Sequence, residues 1–155
     1  MKTSIGIRAN PSEIIYSIIQ GDDNNLHIVL IDKIVNPKSL NVPEQLKFLR
    51  NTLRDIIVEN KVENACIRIT ESNARSVSIP RIYIEGVIQE LIASSTITKY
   101  YVGQISSISA KLNIDRADFK PFVEGKNVYM DIDIWGDLSK EERESVMASI
   151  SALNL

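Results

Sequence analysis

The chain has a single cysteine, Cys66, and a single histidine, His27, among its 155 residues. One cysteine excludes an internal disulfide and any cysteine-built zinc cluster. Cys66 lies in an apolar strand-like run, which reads as a buried, inert thiol. One histidine inside another strand-like run leaves no serine or cysteine triad and no histidine metal cluster to assemble. His27 reads instead as a partly exposed strand residue. A basic excess is also lacking: 18 Lys and Arg face 20 Asp and Glu, for a net charge of -2. That balance gives no global electrostatic argument for nucleic acid, although a local basic face stays open. No stretch approaches the ~20 apolar residues of a membrane span, and the start has no signal-peptide pattern. A cytoplasmic protein with no membrane partner is the expectation. The glycine patterns that cradle nucleotides do not occur, nor does any internal repeat, low-complexity tract or flexible linker.

What is present is 44% apolar and 25% charged sequence, the composition of a soluble globular chain. Its length suits one domain over 1–155, a sheet covered by several helices. Thr3 to Ala9, Glu13 to Ile19 and Leu26 to Val35 read as three strands. Asn10-Pro11-Ser12 and Gly21-Asp22-Asp23-Asn24-Asn25 are turn clusters between them, so the three strands form an antiparallel meander. Val42-Pro43-Glu44 opens a helix carried by Leu46, Leu49, Leu53, Ile56 and Ile57. Ala65-Cys66-Ile67-Arg68-Ile69 is a fourth strand, parallel to its neighbour because a helix precedes it. A second helix over 79–94 buries Ile84, Val87, Ile88, Leu91 and Ile92. Thr98 to Val102 is a fifth strand, and Ile105, Ile108 and Leu112 mark a short helix. Residues 115–125 read as a helical turn or a loop, and Asn127 to Trp135 alternates like an added edge strand. Ser139 and Glu142 form a capping box for a last helix with Val146, Ile150 and Leu153 on its apolar stripe.

The α/β order β-β-β-α-β-α-β-α, together with Ile5-Gly6-Ile7-Arg8, Ala65 to Glu71 and Tyr101-Val102-Gly103-Gln104-Ile105, resembles the RuvC-like branch of the ribonuclease H-like superfamily. It is closest to small uncharacterised bacterial members with a degenerate site. The resemblance covers a core of about 1–112, leaving about 113–155 as a C-terminal extension. It implies a mixed sheet flanked by helices. Active members hydrolyse phosphodiesters with two magnesium or manganese ions held about 4 Å apart by four carboxylates. Their expected places are the end of strand one, just after strand four, and two on the last helix. Here the first is Arg8, and the second survives at best as Glu71. The last helix offers serines where an acid pair is wanted, while Glu141, Glu142 and Glu144 cluster in its first turns, read as facing solvent.

Three functional expectations follow. The leading one is a catalytically inactive binding module, with nucleic acid or protein as partner and no cofactor, working as a homodimer. Its surface is the old active-site cleft: Arg8, Glu71, Asn73, Arg75 and Arg81. The three arginines form a phosphate patch in one reading. In the other, Arg8 pairs with Glu71 and closes the site, since a buried charge needs an opposite partner. The second expectation is a nuclease whose magnesium or manganese is held by Glu71, Asp131 and Asp133. Asp131 and Asp133 lie two apart, on one face of the strand read over 127–135. That face reads more plainly as the polar side of an edge strand. The third is a protein-interaction scaffold using Tyr129 and Trp135 as aromatic anchors.

Overall fold

Both faces of β1 (Lys2–Asn10) are buried, from Thr3 to Ile7 without a break. A strand with two dry faces needs helices above and below it, and the computed structural model, which describes residues 1–22 and 24–155, shows both layers. Next to β1 runs β2 (Glu13–Asp22), and β3 (Asn25–Val35) completes the antiparallel meander. Asp23, in the second turn cluster, lies outside the described residues. β4 (Asn64–Arg68) pairs with β1 in parallel, and β5 (Lys99–Gly103) pairs with β4 in parallel. The sheet order is β3-β2-β1-β4-β5.

One face carries α1 (Val42–Glu59) and α2 (Ile79–Ser94). Asn41 caps α1, accepting from the Glu44 backbone N–H at 3.0 Å, with proline in the first turn. Leu49, Leu53 and Ile57 of α1 join Ile84, Ile88 and Leu91 of α2 over Ile5, Ile7 and Ile18. The other face carries α3 (Ile105–Leu112), α4 (Arg116–Val123) and α5 (Lys140–Leu153). The segment over 115–125 is thus a helix. Asp115 sits at its N-cap, and its carbonyl receives the Asp118 N–H at 3.0 Å. Ser139 and Glu142 make the reciprocal cap that their spacing predicts.

Helix α5 lies directly on β1, β2 and β4, and is buried from Arg143 to Leu153. A division near residue 112 therefore separates no core from any appendage in space. The serines of α5 serve this contact. Ser4 donates to the Ser149 carbonyl oxygen at 2.7 Å, and the hydroxyls of Ser17 and Ser145 meet. At the crossing, a Cβ on Gly6 would lie 2.0 Å from the Ser145 carbonyl oxygen and 2.3 Å from the Ser149 nitrogen. The backbone of β1 touches the backbone of α5.

The segment over 127–135 is not a strand. Met130 and Asp131 both take left-handed backbone angles, φ 50° and 53°, and a 3-10 turn follows at Trp135–Asp137. The chain folds back instead of extending, so both aromatics turn inward. Tyr129 packs edge-on against Phe122 at 5.1 Å, and the Trp135 indole donates to the Phe122 carbonyl at 2.9 Å. With Trp135 at 0% and Tyr129 at 5% exposure, these two are core residues and offer no interaction face.

Cys66 is buried, and burial pushes its thiol from the ordinary 9.0 up to about 11. Two consequences are expected. Iodoacetamide at neutral pH should leave the native thiol unmodified and label it fully once urea unfolds the chain, as mass spectrometry would show. The folded protein also holds this proton more tightly than the unfolded chain. Its contribution to stability is therefore complete below pH 9.0 and is lost as pH rises toward about 11. A Cys66→Ala protein should lose less stability over that window. Among the described residues, no helix is long and apolar enough to cross a membrane.

Candidate functional site

Parallel pairing places Arg8 opposite Arg68, each at the carboxyl end of a central strand. In open α/β sheets, that end is where ligands bind. Their guanidiniums converge on one carboxylate, Glu144, in the second turn of α5. Arg8 Nε lies 2.7 Å and Arg68 Nε 3.4 Å from Glu144 Oε2. All three side chains are nearly dry, at 12%, 5% and 5% exposure. Neither N–H is aimed at the oxygen within hydrogen-bond geometry, so the contact is one of charge, and Arg68 Nε and Glu144 Oε2 are both left without a hydrogen-bond partner. Other groups fix the pair: Arg8 Nη1 donates to the Arg68 carbonyl at 3.1 Å, and Arg68 donates to the Ile69 carbonyl. The Phe119 ring lies 5.8 Å from the Arg68 guanidinium carbon. Burial lowers Arg8 from its ordinary value to about 10, and Glu144 opposes that fall while Arg68 and Arg81 add to it.

The partner of Arg8 is therefore Glu144 and not Glu71. Glu71 instead accepts from the Ile105 N–H at 2.9 Å, at the start of α3, and lies 3.8 Å from Arg68 Nη2. Nor does Glu144 face solvent with Glu141 and Glu142. It is 4% exposed, because α5 turns this position toward the strand ends.

A cleft of about 720 Å³ opens above the pair, between the loop after β4 and helix α4. Asn73 lines it, as do Glu71 and Arg8. Arg75 and Arg81 do not. Arg75 is exposed on the loop, while Arg81 is held 2.9 Å from Glu85, which also accepts from the Thr70 N–H and hydroxyl. The three-arginine patch is thus not assembled. In its place stand Arg116 and Lys120 of α4 and Lys140 of α5, all exposed. Five cations (Arg8, Arg68, Arg116, Lys120 and Lys140) face two carboxylates, Glu71 and Glu144, in a chain whose net charge is negative.

Asp131 and Asp133 line a different hollow, beside Leu26, His27 and Ile28 of β3, and are exposed. They do not meet Glu71, so that metal set does not form one site. Among the described residues, no three His, Cys, Asp or Glu side chains are grouped to hold an ion. The residues at the strand ends do not fit a two-metal centre either. Glu144 is already shared by two guanidiniums and Glu71 by a backbone N–H. A divalent ion about 4 Å from either guanidinium would meet repulsion on the order of 8 kcal/mol at an effective dielectric constant near 20.

Sequence reasoning missed Arg68, Glu144, Arg116, Lys120 and Lys140. For Arg68 there was a signal: a charge inside a buried central strand demands a counter-charge. Glu144 carried one as well, since it lies three residues before Met147 and so shares its buried face.

No protein-family model matches the chain, and no curated protein does. Among solved structures, RuvC of Thermus thermophilus superimposes with a TM-score of 0.69 at 7% identity, covering 96% of this chain and 92% of that one. The same protein in complex with a Holliday junction substrate gives 0.70 at 5% identity, covering 96% and 91%. The Fowlpox virus resolvase in complex with substrate Holliday junction DNA gives 0.56 at 13%, covering 97% and 96%. At such identities the likeness establishes the fold, which is the ribonuclease H-like fold of RuvC.

Proposed function

We propose that this chain is a non-catalytic nucleic-acid-binding module that grips phosphate backbone in the cleft above Arg8 and Arg68. One observation carries the reading: the concentration of five cations against two carboxylates there, in a protein with a net charge of -2. Charge focused in a concave wall attracts a polyanion, even where the whole molecule does not. Two of the proteins sharing this fold are seen with Holliday junction DNA, which supports branched DNA as the first substrate to try. The catalytic step is left out of the reading because Glu144 and Glu71, the nearest acids, are engaged by arginines and a backbone N–H.

Anisotropy of labelled four-way junction and duplex DNA, measured across a salt series, tests this. If about four phosphates are neutralised, affinity should fall roughly a hundredfold between 50 and 200 mM salt. Lys120→Ala and Arg116→Ala, both at exposed positions, should leave the melting temperature in place. Each should reduce the salt slope by about one. Salt-insensitive binding, or none to any DNA or RNA, would sink the proposal.

A further inference from the structure

We infer that Arg8 and Arg68 form a seat for one phosphate group on the floor of the cleft, working without a divalent cation. This rests on the binding role proposed above and specifies how a phosphodiester would be held. Strand register sets the two guanidiniums side by side, and their contacts to backbone carbonyls and to Phe119 fix them before any ligand arrives. Such preorganisation leaves little side-chain entropy to lose on binding. Glu144 serves both guanidiniums and Glu71 stands 3.8 Å from Arg68, so the surplus positive charge of the cleft comes from Arg116, Lys120 and Lys140 around the pair. Arg68 is 4% exposed and lines the cleft, and its Nε–H stands 3.4 Å from Glu144 Oε2 without hydrogen-bonding to it, both atoms being unpartnered. Buried donors are normally satisfied, and a phosphate oxygen is the acceptor that a guanidinium fork matches. The same positive charge repels magnesium or manganese. What a metal ion would bring to a phosphate is here supplied by side chains.

The test compares labelled four-way junction and duplex DNA in excess EDTA and in magnesium at matched ionic strength, with inorganic phosphate as competitor and as sole ligand. DNA should bind at least as tightly in EDTA as in magnesium. Inorganic phosphate should displace it more strongly than chloride does at equal ionic strength. Arg8→Met leaves Arg68 in contact with both Glu144 and Glu71, so each buried charge keeps a partner and the variant should fold. It should weaken DNA binding roughly tenfold and abolish the phosphate competition. Arg8→Lys, which keeps the charge without the planar fork, should recover part of the loss. Binding that requires magnesium overturns this inference while the nucleic-acid reading stands. So does metal-independent binding that Arg8→Met leaves unchanged. If no DNA binds but phosphate raises the melting temperature of the unaltered protein and not of Arg8→Met, the seat survives and the nucleic-acid reading falls. Absence of both effects overturns both. Should Arg8→Met not fold, the EDTA comparison and phosphate competition on the unaltered protein still decide.

Discussion

Gly6→Ala is expected to cost about 3 kcal/mol or more, the upper range for overpacking a tight interior. Most point changes cost less, and a typical domain has only about 5–15 kcal/mol to lose. The reason is local. The added methyl would stand 2.0 Å from one backbone atom of α5 and 2.3 Å from another. Backbone cannot rotate aside as a flexible side chain can, so the whole helix must lift. Lifting it breaks the Ser4–Ser149 and Ser17–Ser145 contacts and opens the layer that Val146, Met147 and Ile150 close. Urea denaturation followed by far-UV circular dichroism would show the midpoint falling sharply, or no cooperative transition at all. A midpoint within a few tenths molar of the parent would mean that α5 does not sit against β1 as described. Gly86 is the control: its added Cβ would meet nothing within 4 Å, and alanine is the better helix former there.

Glu144→Gln should destabilise the protein by about 3–5 kcal/mol, the cost of leaving buried charge uncompensated. The substitution keeps shape and volume but withdraws what is, among the described residues, the only carboxylate within 4.0 Å of Arg8, and the nearer of the two beside Arg68. Two guanidiniums at 12% and 5% exposure would then repel each other with little water to screen them. The companion variant removes all three charges, as Arg8→Met, Arg68→Met and Glu144→Leu together. It should be close to neutral or stabilising, because desolvating an ion cluster offsets much of its attraction. Chemical denaturation of the single and triple variants separates charge imbalance from simple loss of packing. A triple variant as unstable as Glu144→Gln would argue against the electrostatic account.

The sheet and most helices were legible because their causes are local. Isoleucine-rich runs bounded by Asn-Pro-Ser and Gly-Asp clusters read as short-turned strands, and Pro43 and the Ser139–Glu142 pair mark helix starts by their own chemistry. The segment over 127–135 was misread because alternation describes both an edge strand and a loop folded back by two left-handed residues. What chose the loop was the exposed underside of α5, which needed Tyr129 and Trp135 as cover. At the site, Arg8 was legible and its partner was not. Glu71 is close in sequence to a strand end, whereas Glu144 reaches the same spot only through the close crossing of α5 over β1. The cationic rim was hidden for the same reason: Arg116, Lys120 and Lys140 are scattered in sequence and are gathered only by the packing of α4 against α5.

That crossing also constrains how the molecule is made. β1 is synthesised well before α5, and the hydrogen bond between Ser4 and Ser149 spans 145 residues. The loop that this contact closes is long, so its formation is entropically slow and late. Until α5 emerges, Ile19 and Cys66 lie uncovered beside Gly6 and the serines on a nascent sheet. The half-made protein is thus the form most exposed to aggregation and to chaperone capture. A ribosome-bound chain stopped before residue 140 should stay protease-sensitive throughout, and protection should come in one step once α5 clears the exit tunnel.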